Sequence, residues 1–376
     1  MEEELGIFLG VCHDPYRSLG DLKKKGRKIV GCVPMHVPEE IVHASGIHPV
    51  AMWESNRPIG RGHALVQSFF CGLARGLVDD AVSGRLDFLD GIVLADSCLA
   101  VRGIDSVLRR NFPLPYYESL YLPPVLQRPT SREYVAAEFN RFKTSLESLV
   151  GHEITETSLR NSIGIYENDR RLLREVYSLR RRRPGVVAAG EVTAMVMSAS
   201  IMPKEDHARL LEKLLPKLAK RSVPPQTGVK VVISGCLCQA PRFELLSMCE
   251  AAGAVVVDDD LYVGSRSFDT VTPGEGSAVT RLASRYLGQS APCPTRIQSD
   301  DWGDYLVSMV KKVGAQGAIN LVVKHCEPHE IYYPELKKKL AAAGVPELMI
   351  EVEHDTVSMA PLKTRVQAFV EMVGGV

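Results

Sequence analysis

At 376 residues the chain is too long for one ordinary domain, and two or three are expected. Its 45% hydrophobic and 24% charged residues are the mix of a globular protein, which excludes a collagen-like or disordered chain. Lys plus Arg and Asp plus Glu both number 45, so nothing in the charge balance points to a nucleic-acid or membrane partner. The acidic start, MEEELGIFLGVCHD, lacks the basic beginning and long apolar core of a signal peptide, and a cytoplasmic location is expected. No apolar run approaches the roughly 20 residues of a membrane span. In a reducing compartment the nine cysteines are expected as buried thiols or metal ligands rather than disulfides.

Residues 1 to about 25 read as an irregular lead-in, of which 1–20 precede the first domain. A first α/β domain is expected over 21–130. Lys28–Val33 is its first strand, Pro38-Glu39-Glu40 opens a helix that Gly46 closes, and Pro49–Trp53 is a second short strand. A helix around Cys71 and the strand Gly91–Ala95 follow, then an irregular Pro- and Tyr-rich stretch after a short strand. Residues 131–225 read as a helical connector. Thr130-Ser131-Arg132-Glu133 spells a capping box, and Val135, Phe139, Phe142, Leu146 and Leu149 follow at helical spacing. A second long helix carries Leu159, Ile163, Tyr166, Leu173 and Val176 and ends in Arg180–Arg183, a run read as a solvated helix end rather than a phosphate site. A third amphipathic helix covers His207–Leu218. A second α/β domain, 226–376, has strands expected at Val229–Ser234, Ala254–Asp258, Ala318–Val323 and Leu348–Val352, with helices at about 241–252, 300–314, 332–343 and 360–373. The fold class is therefore α/β: two parallel-sheet, Rossmann- or flavodoxin-like units facing one cleft and joined by helices.

Neither G-x-x-x-x-G-K-[ST] nor a post-strand G-x-G-x-x-G occurs, which argues against a nucleotide site built the usual way. H-E-x-x-H and G-x-S-x-G are absent too, against zinc-protease and hydrolase readings. Cys71 in QSFFCGLARG, Cys98 and Cys326 are each read as following a strand, where open α/β sheets keep their ligands, and each has polar neighbours: Arg75, Asp96-Ser97 and Lys324-His325. Any one cysteine alone is most simply a packing residue. Taken together, the three are expected to meet across the cleft and hold one metal centre. Three thiolates are one short of a closed iron–sulfur site and leave one iron open. Cys236-Leu237-Cys238 reads as a strand-end turn rather than a ligand pair, and Asp258-Asp259-Asp260 as an acidic turn rather than a cation site. His36, His43, His48 and Glu54 cluster after the first two strands; His36 is the first choice and Glu54 the second for an acid/base beside the open iron.

Several stretches carry a likeness to a known family: GCVPMHVPEEIVHASGIHPV, DGIVLADSCLAVR, GHEITETSLRNSIGIYENDRRLLREVY, GAVVVDDDLYVGSR, VVKHCEPHEIYYPELKKKL and EVEHDTVSMAPLKTRVQAFVE. With these the chain resembles the subunits of benzoyl-CoA reductases and 2-hydroxyacyl-CoA dehydratases, most of all the C-type subunit of benzoyl-CoA reductase. The resemblance implies one [4Fe-4S] cluster on the positions matching Cys71, Cys98 and Cys326. It implies a homologous sister subunit, a separate ATP-hydrolysing activator with its own cluster, and reduced ferredoxin upstream. The implied reaction is low-potential electron transfer to an aromatic acyl-CoA thioester, giving a ring-reduced product. Alternatives are radical elimination of water from a 2-hydroxyacyl-CoA, and an electron-relay or structural role beside a catalytic sister. Where family members often carry a hydroxyl residue this chain has Met35, and Tyr262 stands where several relatives have a further cysteine.

Overall fold

A computed structural model describes residues 1–33, 35–53, 57–223, 226–235, 243–354 and 359–375. Among the described residues eight strands form two four-stranded sheets, every pairing parallel. The first holds β1 (Ile29–Cys32), β2 (His48–Ala51), β3 (Gly91–Ala95) and β4 (Tyr116–Leu120) in the order β2-β1-β3-β4. The second holds β5 (Val229–Gly235), β6 (Ala254–Asp259), β7 (Gly317–Val323) and β8 (Glu347–Val352) in the order β6-β5-β7-β8. The two orders are the same pattern, second-first-third-fourth, so the α/β units repeat one topology although the sequence shows no period. β1, β2, β3, β5, β6 and β7 are buried almost throughout, because helices cover both faces; such strands read as continuous apolar runs.

Helices α1 (Glu2–His13) and α2 (Pro15–Lys24) precede the first sheet, and α3 (Glu39–Ala44), α4 (Gly72–Val82) and α5 (Leu99–Asn111) belong to it. The connector is α6 (Ser131–Val150), α7 (Glu156–Arg182), α8 (Ala189–Ala199) and α9 (Lys204–Ala219). The second unit carries α10 (Phe243–Ala251), α11 (Ala278–Leu287), α12 (Trp302–Val313), α13 (Glu327–Ala342) and α14 (Ala360–Gly374). Among the described residues no helix is long and apolar enough to cross a membrane.

Four expectations need correction. The start of the chain is helical, not irregular: Leu5, Phe8 and Cys12 line one face of α1 and pack into the core, with Phe8 against His207 at 5.1 Å between ring centres. Gly6 and Gly10 weaken the local helical signal, and tertiary packing overrides it. Thr130 precedes α6 but its side chain makes no capping bond, while the Ser131 hydroxyl donates to the Val125 carbonyl instead. The arginine run at the end of α7 is not a solvated terminus. Arg180 is 1% exposed and pairs with Asp259, and Arg181 donates twice to Asp258. The acids are not a turn: Asp258 and Asp259 end β6 and are paired by α7, and Asp260, just past the strand, is paired with Arg266 of the second unit.

Candidate metal centre

Each of the three cysteines stands immediately before a helix. Cys71 precedes α4, Cys98 precedes α5 and Cys326 precedes α13. Cys98 and Cys326 hold equivalent places in the two repeats, since each follows the third strand of its own sheet. The structure brings all three into the lining of one cavity, walled by Leu73, Val101, Ile104 and Val323. Two of the thiols come from the first unit and one from the second. None of the three is in a disulfide. Among the described residues no three His, Cys, Asp or Glu side chains are grouped closely enough to hold a single metal ion.

Local structure explains how the cysteines are aimed. Past β7 the chain reverses at His325, whose φ of +67° is left-handed, and the Cys326 N–H donates back to the Val323 carbonyl at 2.9 Å. The Glu330 carboxylate accepts the His325 N–H at 2.8 Å and fixes the turn. The loop before Cys98 is held from the other unit, where the Arg296 guanidinium donates to the carbonyls of Asp96 at 3.0 Å and Ser97 at 3.4 Å. One turn beyond Cys71, Arg75 is 5% exposed and its Nε has no hydrogen-bond partner among the described residues.

A larger cavity of about 160 Å³ lies beside the first, and Met35 lines both. Met35 and His36 follow β1 with left-handed φ values of +82° and +74°, uncommon for residues with a side chain. The Met35 N–H donates to the Tyr262 hydroxyl at 3.1 Å, so Tyr262 anchors the backbone here. His36 lines the larger cavity and not the cysteine cavity. Burial pushes its pKa well below the ordinary histidine value, and the charges of Arg296 and Arg266 add to that, so the ring is neutral. With the Gln289 amide donating to Nδ1 at 3.1 Å, the ring proton sits on Nε2, a buried atom without a partner among the described residues. The larger cavity also has Phe139, Tyr166 and Tyr286 in its walls, and Lys204 and Arg285 as cations. Arg285 donates to the carbonyls of Thr270 and Ser267 rather than to a carboxylate.

His43 and His48 take no part. His43 Nδ1 is bonded to the Ser162 hydroxyl, and His48 Nε2 to the Ile201 carbonyl. Glu54, Cys236 and Cys238 lie outside the described residues. Sequence reasoning passed over His329, whose Nδ1 is 3.4 Å from the Cys326 sulfur. The Cys-x-x-His spacing at a helix start was the available signal, because residues three apart share a helix face.

Residues 34–373 match the family described as "2-hydroxyglutaryl-CoA dehydratase, D-component". The chain is 27% identical to the (R)-phenyllactyl-CoA dehydratase beta subunit of Clostridium sporogenes, over 93% of each chain. It is 27% identical to the C subunit of the benzoyl-CoA reductase of Thauera aromatica, over 92% of this chain and 91% of that one. It is 29% identical to the beta subunit of (R)-2-hydroxyglutaryl-CoA dehydratase of Acidaminococcus fermentans, over 97% of each. The protein therefore belongs to the 2-hydroxyglutaryl-CoA dehydratase D-component family, whose members include subunits of both dehydratases and a benzoyl-CoA reductase.

Proposed function

We propose that the chain is the iron–sulfur subunit of a hetero-oligomeric acyl-CoA enzyme, with one [4Fe-4S] cluster on Cys71, Cys98 and Cys326. The observation that carries this reading is the convergence of three thiols, each at the start of a helix, on one largely apolar cavity. The donor set is soft, as an iron–sulfur cluster requires, and an apolar shell limits solvent access. When bound, such a cluster supplies low-potential one-electron chemistry, with one iron left open.

The chain's own residues supply the surroundings. The aromatic walls of the larger cavity suit an aromatic acyl group, and Lys204 and Arg285 suit the polar end of a thioester. His36 holds a proton at Nε2 for exchange with the bound acyl group. Glu54 remains a second acid/base candidate on sequence grounds. The reaction proposed is benzoyl-CoA reduction, in which two electrons and two protons add to the ring and give a cyclohexadiene carboxyl-CoA. The partners proposed are a homologous sister subunit and an ATP-hydrolysing activator with its own cluster, fed by reduced ferredoxin in the cytoplasm. Relatives named as subunits support the first of these. A second reading, radical elimination of water from a 2-hydroxyacyl-CoA, is favoured by the family description and by the dehydratase relatives.

The test is anaerobic preparation with the sister subunit, then turnover with activator and ATP on benzoyl-CoA and on (R)-2-hydroxyacyl-CoA thioesters. About four irons per chain are expected, with a diene product from benzoyl-CoA. An unsaturated acyl-CoA formed only from the hydroxy substrate supports the second reading. Colourless, iron-free protein overturns both.

A further inference from the structure

We infer that His329 donates its Nδ1–H to the Cys326 thiolate and so raises the reduction potential of the cluster, acting as a positioning residue and not as a ligand. The inference rests on the cluster reading above. Its basis is the geometry of the first turn of α13. The His329 N–H donates to the Cys326 carbonyl at 3.0 Å, which folds the side chain back toward the thiol, and Nδ1 comes to 3.4 Å from the sulfur. The ring is 4% exposed and forms part of the cysteine cavity wall.

This imidazole is held in place from behind. It meets Trp302 edge-on, with ring centres 5.1 Å apart and planes at 82°. Trp302 donates from its indole nitrogen to Asp260 Oδ2 at 2.6 Å, and Asp260 is paired with Arg266 and accepts the Gly235 N–H. The edge-on contact with Trp302 backs the ring while Nδ1 lies within reach of the sulfur. When Cys326 is a thiolate, a bare nitrogen lone pair facing it would be repelled, so the tautomer with hydrogen on Nδ1 is the one that fits. An N–H donated to a cluster sulfur withdraws charge from it and favours the more negative, reduced form. The plainer reading makes His329 a packing residue on Trp302, and it predicts no change in potential.

The experiment uses the full-length chain, reconstituted anaerobically and titrated spectroelectrochemically. His329→Leu is expected to shift the potential to lower values, and His329→Gln, which keeps an N–H donor, to lie nearer the wild type. An unchanged potential in His329→Leu overturns the inference and leaves the cluster reading standing. Wild-type protein that takes up no iron overturns the cluster reading, and this inference with it. Should His329→Leu fail to retain iron, the reduced wild type decides by pulsed EPR with ¹⁵N-labelled histidine. Weak coupling to one ring nitrogen is expected. No coupling, or the strong coupling of a direct Fe–N bond, overturns the proposal.

Discussion

Arg180, near the end of α7, and Asp259, at the end of β6, meet at 2.9 Å with the guanidinium almost fully buried. The same carboxylate oxygen accepts from the Tyr177 hydroxyl at 2.7 Å, and Arg180 Nε donates to the Val256 carbonyl at 2.9 Å. The helical connector and the second sheet are locked together at this point. Removing one partner leaves a charge buried without compensation, whereas removing both does not. Arg180→Met is expected to lose about 3–5 kcal/mol in urea unfolding at neutral pH. The double variant with Asp259→Asn should recover part of that loss. A single variant as stable as the wild type would show the pair to be dispensable.

Each of Cys71→Ala, Cys98→Ala and Cys326→Ala should lower iron content and bleach the visible absorption of anaerobically prepared protein. Cys12→Ala is the control. Cys12 is buried in α1 with its sulfur 3.5 Å from the Ala194 carbonyl, far from any role as a ligand, and this variant should keep its iron. Full iron in any one of the three test variants would remove that cysteine from the site.

The acid limit of stability should depend on Glu40. Burial pushes its carboxyl pKa up, but the guanidinium of Arg170, helped by Arg285, outweighs this and holds it at about 2. The folded value lies below the unfolded value of about 4.3, so the stabilisation is complete above that pH and fades as pH falls toward the folded value. Glu40→Gln should therefore cost about 2–3 kcal/mol at pH 7, and its deficit against the wild type should shrink between pH 4 and pH 2. Denaturant titrations at pH 7, 4 and 3 read this directly. A deficit independent of pH would place the effect in packing rather than charge.

How far the sequence reveals these features varies with their physical origin. Buried parallel strands are continuous apolar runs, and Gly91–Ala95 can be read to the residue. Helix α1 is illegible because its glycines argue locally against it while its apolar stripe waits for α8. The pairing of Arg180 and Arg181 with Asp259 and Asp258 joins residues 77 or more positions apart, and no local pattern announces it. Cys98 and Cys326 are legible as strand-end residues. Among the described residues Cys71 follows the short turn Arg61–Ala64 rather than a strand, so the strand-end reading does not extend to it. The left-handed backbone at Met35 and His36 carries no glycine to mark it.

Met35 lines two compartments, and its backbone is pinned by Tyr262, whose ring meets Trp53 at 5.8 Å. The two volumes are therefore not independent variables. A smaller residue at position 35 enlarges both and thins the partition between them, and a bulkier one shrinks both. If the larger cavity takes the proposed acyl group and the cysteines hold the proposed cluster, a change at position 35 alters substrate selectivity and access to the three sulfurs together.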